Sequence, residues 1–236
     1  MKNAGLVDRP YSKWLRRLHL VLLLSVTMLL LSGAAFYFRR DLGLAQFKLE
    51  IMLAHAIIGY VMIVLLLLRL LLFVIGPEQE RFRHVLVRPR DLQQMIKQLG
   101  RGGLRFKFAG RSPMSRLVAT SLYLLLTANA LTGMVFATTV LYLPPFGGAL
   151  IDYLAIDGET ATVEAIRAGE FDQARMKAVR DFKRPFGDLH VMGAISIGVL
   201  AVFHVIGVIL SEWSAPSNKS ARGRARIMLF GLEANK

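Results

Sequence analysis

The 236-residue chain contains no cysteine. That absence excludes disulfide bonds, thiolate metal sites, iron–sulfur clusters and covalent c-type haem attachment. Acidic residues are also scarce, because 16 Asp and Glu stand against 30 Lys and Arg, which gives a formal net charge of +14. Hydrophobic residues make up 54% of the chain and the mean hydropathy is +0.47, as is typical of integral membrane proteins. A soluble catalytic domain is therefore disfavoured, and any redox chemistry requires cofactors that are not covalently attached.

Four apolar segments are each long enough to cross a bilayer, which takes about 20 residues. They are residues 18–38, 51–75, 117–143 and 189–212. We therefore predict an all-α fold, an integral membrane four-helix bundle in which residues 1–236 form a single domain. A secretory signal peptide is the alternative for the first segment, because SGAA follows it. The length of that segment and its His19 argue against this alternative.

The charged residues predict how the chain is oriented in the membrane. The loop 77–116 carries ten Lys or Arg against three acidic residues, and the tail after Trp213 is also basic. The segment 144–188 carries eight Asp or Glu against six Lys or Arg. Basic segments stay in the cytoplasm, so both termini and loop 77–116 are predicted inside and 144–188 outside, as a short helical outer loop. In a membrane protein this basic excess reports orientation, so no nucleic-acid partner is predicted.

Four of the five histidines lie in the predicted spans. His190 and His204 are fourteen residues apart, which places them roughly 21 Å apart along a helix and about 40° apart around it. With the N-terminus inside, His55 and His190 share the outer depth, and His19 and His204 share the inner depth. A six-coordinate haem needs one imidazole on each face of its iron, so these two pairs predict two b haems. The alternative for any single histidine is a hydrogen bond between helices.

Three arginines are candidate contacts for a haem propionate or a quinone headgroup. Arg69 lies fourteen residues after His55, on the same helix face but at the inner depth. It could instead extend to the inner headgroups. Arg16 and Arg17 precede His19, and we interpret them first as determinants of orientation and only second as propionate contacts.

Two glycines are candidate clearance points for a haem. Gly33 lies fourteen residues after His19, where the first helix would face the outer macrocycle. Gly59 lies one turn after His55. Tight helix packing is the alternative for both glycines.

Several motifs together resemble the bacterial cytochrome b561 and nickel–iron hydrogenase b-type cytochrome family. The resemblance covers all four predicted helices. Its motifs are RRLH at 16–19 followed by Gly33, H-x3-G at His55 and Gly59, RLLLFVIGPEQERF at 69–82, LTG at 131–133, and H-x2-G-x10-H from His190 to His204. The sequence departs from the family in the leucine that follows His19 and in an outer loop longer than that of the smallest members.

The resemblance implies a multi-pass di-haem cytochrome of the bacterial inner membrane, in contact with lipid, whose haems are held by histidines of helices one, two and four. It implies electron transfer between a quinone and an outer redox protein of the iron–sulfur or cytochrome c type. The alternative is a stand-alone oxidoreductase that oxidises superoxide and reduces ubiquinone, so whether the chain is itself an enzyme stays open. A histidine-lined metal transporter or a structural anchor is disfavoured, because the third helix has no histidine and the spans place no carboxylate beside the histidines.

We expect the outer partner to dock on the 144–188 loop, which leads directly into His190. The alternative is that the loop only shields a haem from water. We expect the quinone on the inner side, near Arg69, Arg16 and Arg17.

Overall fold

The computed structural model describes residues 12–99, 113–156 and 161–213. Within these ranges the chain is helical and contains no strand. Two short 3-10 turns, Ala45–Phe47 and Glu78–Glu80, precede α2 and α3. The α-helices are α1 (Lys13–Tyr37), α2 (Lys48–Ile75), α3 (Phe82–Val85), α4 (Pro89–Leu99), α5 (Pro113–Leu141), α6 (Gly147–Leu154), α7 (Val163–Ala168) and α8 (Gln173–Trp213). The basic segments before Ser12, over 101–112 and after Trp213, which contribute to the predicted orientation, lie outside the described residues.

Four of these helices, α1, α2, α5 and α8, are long and apolar enough to cross a membrane. Large apolar side chains are exposed on the surface of all four helices, with most of them on α1, α2 and α8, as expected when lipid is the solvent. The predicted fold class, an all-α membrane protein of the four-helix type, is confirmed.

The helix that carries His190 begins at Gln173 rather than at residue 189 as predicted. Asp172 starts it, because its Oδ1 accepts a hydrogen bond of 2.9 Å from the backbone N–H of Arg175. The sequence that follows is rich in Ala, Arg, Met and Lys, which favour helix. Pro185 lies inside α8 and removes only one backbone donor, so the helix continues through it. Part of the predicted outer-loop helix is therefore the beginning of α8.

The chain divides into two compact units. The first unit consists of Met1–Thr27, Val61–Leu125 and Ile197–Lys236, and the second consists of Met28–Tyr60 and Leu126–Ser196. Each of the four long helices contributes one part to each unit.

In the first unit, the segment that connects α2 to α5 is bound to α5 by an ion pair and a hydrogen bond. Asp91 of α4 is buried and lies 3.2 Å from Nη1 of Arg116, near the start of α5. The backbone N–H of Val87 donates to Oγ1 of Thr120 at 2.9 Å. Burial raises the pKa of Asp91, but hydrogen bonds from Arg88 and the positive charges of Arg116 and Arg88 outweigh it, so the pKa lies below its usual value.

In the second unit, the segment between α5 and α8 forms a small helical cap, in agreement with the predicted helical loop. Its core contains Leu154, Ile166, Met176 and Val179. Tyr142, Leu150, Ile151 and Phe171 pack against this core. The cap therefore has its own apolar core, built from α6, α7 and the first turns of α8.

Candidate functional site

The second unit brings the imidazoles of His55 and His190 together. His55 lies on α2 and His190 on α8, and both side chains are half-buried. Their ring centroids are 6.2 Å apart and the ring planes are inclined by 77°. The two rings are therefore arranged edge to face rather than stacked.

Ser32 of α1 determines which nitrogen of His55 carries the proton. Its Oγ donates to the backbone oxygen of Met28 at 2.7 Å and lies 2.8 Å from Nδ1 of His55. A serine hydroxyl has one hydrogen to donate, so when that hydrogen is on the Met28 oxygen, Oγ accepts at the imidazole. The network therefore assigns the proton of His55 to Nδ1 and leaves the lone pair on Nε2 free to bind a metal.

Thr132 of α5 acts on His190 in the same way. Its Oγ1 donates to the backbone oxygen of Asn129 at 3.0 Å and lies 2.9 Å from Nδ1 of His190. His190 also has a hydrogen bond to the main chain of Asn129. The contact with Thr132 assigns the proton to Nδ1 of His190, so the two rings of this unit have the same tautomer. Hydroxyl or carbonyl partners of this kind commonly orient metal-bound histidines.

Glycines on the neighbouring helices leave space for the side chains of His55, His190 and Asn129. A Cβ atom at Gly33 would touch Cε1 of His55 at 3.6 Å, and one at Gly133 would lie 3.2 Å from Cε1 of His190, which is tighter than ordinary van der Waals contact. A side chain at Gly193 would overlap Oδ1 of Asn129. At Gly59 a Cβ would meet no atom of the described residues within 4 Å.

Gly33 was predicted to lie opposite a macrocycle, and the structure places it against the imidazole of His55. The structure also adds Ser32, Thr132, Asn129 and Gly133 to the site. Of these four, the LTG motif was the only signal in the sequence, and it marks Thr132 and Gly133.

The first unit brings the imidazoles of His19 and His204 together. His19 lies on α1 and His204 on α8, and both are half-buried. Their ring centroids are 6.4 Å apart and the ring planes are inclined by 68°. Each unit therefore contains one imidazole pair, and α8 contributes one ring to each pair.

Arg69 is buried inside the first unit, with a side chain 3% exposed. Its guanidinium lies 4.0 Å above the ring of Phe73, its Nε donates to the hydroxyl of Tyr123 at 3.0 Å, and its two terminal nitrogens lie 3.4 Å from the backbone oxygen of Glu80. Arg69 therefore does not extend to the lipid headgroups, which was the alternative interpretation, and it lies on the side of the His19 pair.

The other two candidate arginines differ in burial. Arg16 of α1 is half-buried, whereas Arg17 is exposed. His84, the histidine outside the spans, is 32% exposed and its Nε2 lies 3.8 Å from the Glu78 carboxylate. Burial, followed by the charge of Arg83, lowers the pKa of His84, although Glu78 opposes that shift.

The separation of the rings shows whether each pair fits a metal. A bond from an imidazole nitrogen to a metal is about 2.0–2.1 Å and the ring centre lies about 1.1 Å behind the nitrogen, so two imidazoles on opposite sides of one metal have centres about 6.2–6.4 Å apart. Both observed separations agree with that distance. Among the residues that the structure describes, no three or more His, Cys, Asp or Glu could hold a metal ion together. Two protein ligands per site fit a haem, whose porphyrin supplies the other four.

An all-α multi-pass membrane protein with paired imidazoles in its spanning helices, and no cysteine for covalent attachment, has the features of a membrane b-type cytochrome. The family model of prokaryotic cytochrome b561 matches residues 10–220, and the chain belongs to that family. No curated protein and no solved structure matches the chain. Family membership confirms the resemblance drawn from the sequence. The protein is thus a membrane cytochrome that binds b-type haem and takes part in electron transfer.

Proposed function

We propose that the chain holds two b haems and passes electrons between an outer redox protein and the quinone pool of the bacterial inner membrane. One haem is held by His55 and His190 and the other by His19 and His204. The observation that carries this proposal is the pair of ring separations, 6.2 and 6.4 Å, each of which suits two axial imidazoles on one iron. A bound haem supplies one-electron exchange between ferric and ferrous iron.

The protein's own residues keep the ligands in the correct protonation state. Ser32 and Thr132 accept from Nδ1 of His55 and His190, so that Nε2 is the nitrogen available to iron. A hydrogen bond donated by Nδ1–H, the ring N–H that does not bind iron, also makes the imidazole more basic, which favours the ferric state of the haem. The apolar helices around the rings exclude water and make these contacts stronger than they would be in solvent.

The helical cap of the second unit supports the proposed docking of an outer partner. Lys177 and Asp181 form an exposed ion pair of 2.6 Å on the first turns of α8, so both charge signs are presented there. The same helix continues without a break to His190. A polar, charged surface suits a transient electron-transfer encounter. The orientation with both termini inside and the cap outside belongs to the same proposal.

The quinone belongs to the first unit in this proposal. Among the described residues, three of the five N–H donors of Arg69 are used in its contacts with Tyr123 and Glu80, which leaves two for a quinone carbonyl or a haem propionate. Arg16 and Arg17, three and two residues before His19, provide further positive charge on α1.

Haem content and single histidine variants test the ligand assignment. Protein purified in mild detergent should contain close to two haems per chain in a pyridine haemochrome assay. His55→Ala and His190→Ala should remove the same spectral component, and His19→Ala and His204→Ala the other. His84→Ala is the matched control and should keep both components. One haem per chain, or a shared phenotype of His55→Ala and His204→Ala, would contradict the proposal.

Purification also tests the electron-transfer partner. A co-purifying iron–sulfur or c-type protein that reduces the chain supports the proposed role as an electron-transfer subunit. Oxidation of superoxide coupled to ubiquinone reduction by the isolated chain would instead establish the stand-alone oxidoreductase.

A further inference from the structure

Glu80 is a fully buried carboxylate that the proposed function does not use. It ends the 3-10 turn Glu78–Glu80 after α2, and its residue is 0% exposed. Oε1 accepts a hydrogen bond of 2.8 Å from the backbone N–H of Ser12, and Oε2 accepts one of 3.1 Å from Oγ of Ser12. A buried carboxylate is costly unless its oxygens are hydrogen-bonded. These two contacts thus join the turn firmly to the residue that precedes α1.

Ser12 is the residue that starts α1. Its Oγ accepts a hydrogen bond of 3.1 Å from the backbone N–H of Leu15, which is the contact of an N-cap serine. The negative charge of Glu80 therefore lies at the helix end where the macrodipole is positive. The Glu80 carboxylate thus fixes the position of Ser12, and Ser12, as the N-cap, stabilises the first turn of α1.

The first turn of α1 is mechanically linked to His19. Ser12 and His19 are seven residues apart, so they lie on nearly the same face of the helix, about two turns from each other. Leu15, Leu18 and Leu22 are buried on the adjoining positions. A rotation or a shift of α1 at Ser12 is therefore transmitted to the imidazole of His19.

The same residue also holds Arg69. The backbone oxygen of Glu80 accepts from both terminal nitrogens of the guanidinium, which lies in the same unit as His19. The side chain and the main chain of Glu80 thus contact two groups in the unit that contains His19, namely the N-cap of α1 and the guanidinium of Arg69.

We propose that Glu80 is the positioning residue for the cofactor site of His19 and His204, through its contacts with Ser12 and with Arg69. This inference rests on the proposed function, in which those histidines hold a haem. Glu80 sets the rotation of α1, and hence the angle between the two imidazole planes, which is 68° in the structure.

The experiment compares Glu80→Ala with Glu78→Gln in the full-length protein. Glu78 lies in the same turn and carries the same charge, but its side chain is 49% exposed and pairs with Arg83 at 2.5 Å. The readouts are the low-temperature EPR signals of the ferric haems, which depend on the angle between axial imidazoles, and the midpoint potential of each haem. Glu80→Ala should shift the EPR signal of the haem that His19→Ala removes, raise its potential because a negative charge is lost nearby, and leave the other haem unchanged. Glu78→Gln should change neither haem.

Two milder variants keep the proposal falsifiable if Glu80→Ala does not accumulate. Ser12→Ala removes the hydroxyl and keeps the backbone donor, and Glu80→Gln removes the charge and keeps an acceptor oxygen. Each should shift the EPR signal of the same haem by less, and only Glu80→Gln should raise its potential as Glu80→Ala does, because only that variant also removes the charge. Unchanged EPR signals in every variant that accumulates, or equal shifts of both haems, would overturn the inference. A wild-type haem content other than two would overturn the proposed function instead, so the two failures are distinguishable.

Discussion

Removing the hydroxyl of Ser32 should weaken the proposed haem site of the second unit and leave the proposed site of the first unit intact. In Ser32→Ala, Nδ1 of His55 loses the acceptor that lies 2.8 Å away. One neutral hydrogen bond contributes about 0.5–1.5 kcal/mol, which corresponds to an affinity change of roughly two- to tenfold. Loss of a partner behind a metal-bound histidine typically costs about 10–100-fold. The upper end of the first range and the lower end of the second coincide at about tenfold. We therefore expect Ser32→Ala to lower the haem affinity of this site about tenfold.

The assay follows the transfer of haem to excess apomyoglobin. In Ser32→Ala, one of the two haems should leave about tenfold faster than in the wild type, and its midpoint potential should rise because a less basic imidazole stabilises ferric iron less. Thr27→Val is the matched control. Oγ1 of Thr27 donates to the carbonyl of Leu23, four residues earlier on the same helix, at 2.9 Å, just as Ser32 donates to Met28. Within the described part of the chain, no hydrogen bond joins Thr27 to a histidine.

Two results would refute this expectation. If Ser32→Ala released haem no faster than Thr27→Val, the hydroxyl would not orient His55. If both haems left faster together, the variant would loosen α1 as a whole. Thr132→Val should give a smaller effect than Ser32→Ala, because His190 keeps its second contact with the main chain of Asn129.

Three further predictions concern two glycine substitutions, the orientation of the chain in the membrane and the pH dependence of the Asp91 contacts. Gly133→Ala should shift the spectrum of the haem held by His190, because the new Cβ would lie 3.2 Å from that ring, whereas Gly148→Ala, which meets no described atom within 4 Å, should not. Reporter fusions should place both termini inside and the 144–188 segment outside, and a periplasmic C-terminus would contradict the predicted orientation. The lowered pKa of Asp91 means that its contribution to stability is present above its usual pKa and is lost as the pH falls through the lowered value. The protection factors of the α4 amides, which compare their exchange with that of an unfolded chain at the same pH, should therefore fall at acidic pH, and Asp91→Asn should show lower protection factors at neutral pH without that acid response.

The spanning helices could be predicted from the sequence, and so could which histidine rings lie near each other. Both follow from counting residues along a helix. Depth increases by a fixed rise per residue, so His55 and His190 can be matched before any packing is known. The rotation of each helix about its own axis cannot be obtained in this way, because it depends on how neighbouring helices pack. The contacts of Ser32 with His55 and of Thr132 with His190 join different helices, so the sequence alone did not reveal them.

Two other differences have local physical causes. The buried position of Arg69 depends on Phe73, Tyr123 and the carbonyl of Glu80, which lie on two helices and a turn, so the apolar sequence around it also allowed an arginine that extends to the headgroups. The predicted span starts at residue 189 because the apolar run starts there, whereas the helix itself extends further, into the charged sequence before it. The capping by Asp172 and the strong helix formers after it decide the start instead.

The continuous helix α8 also limits how the length of this chain can change. Inserting one residue between His190 and His204 would turn one imidazole by about 100° relative to the other and move it by about 1.5 Å, so it would leave the face on which its partner lies. An insertion of seven residues would restore the face within roughly 20° but would displace the ring by about 10 Å. No small insertion or deletion preserves both pairs. By contrast, residues can be gained or lost before Gln173 without changing the register of either histidine. Length variation among relatives should therefore concentrate in the segment between α5 and α8 and be absent from the fourteen-residue interval.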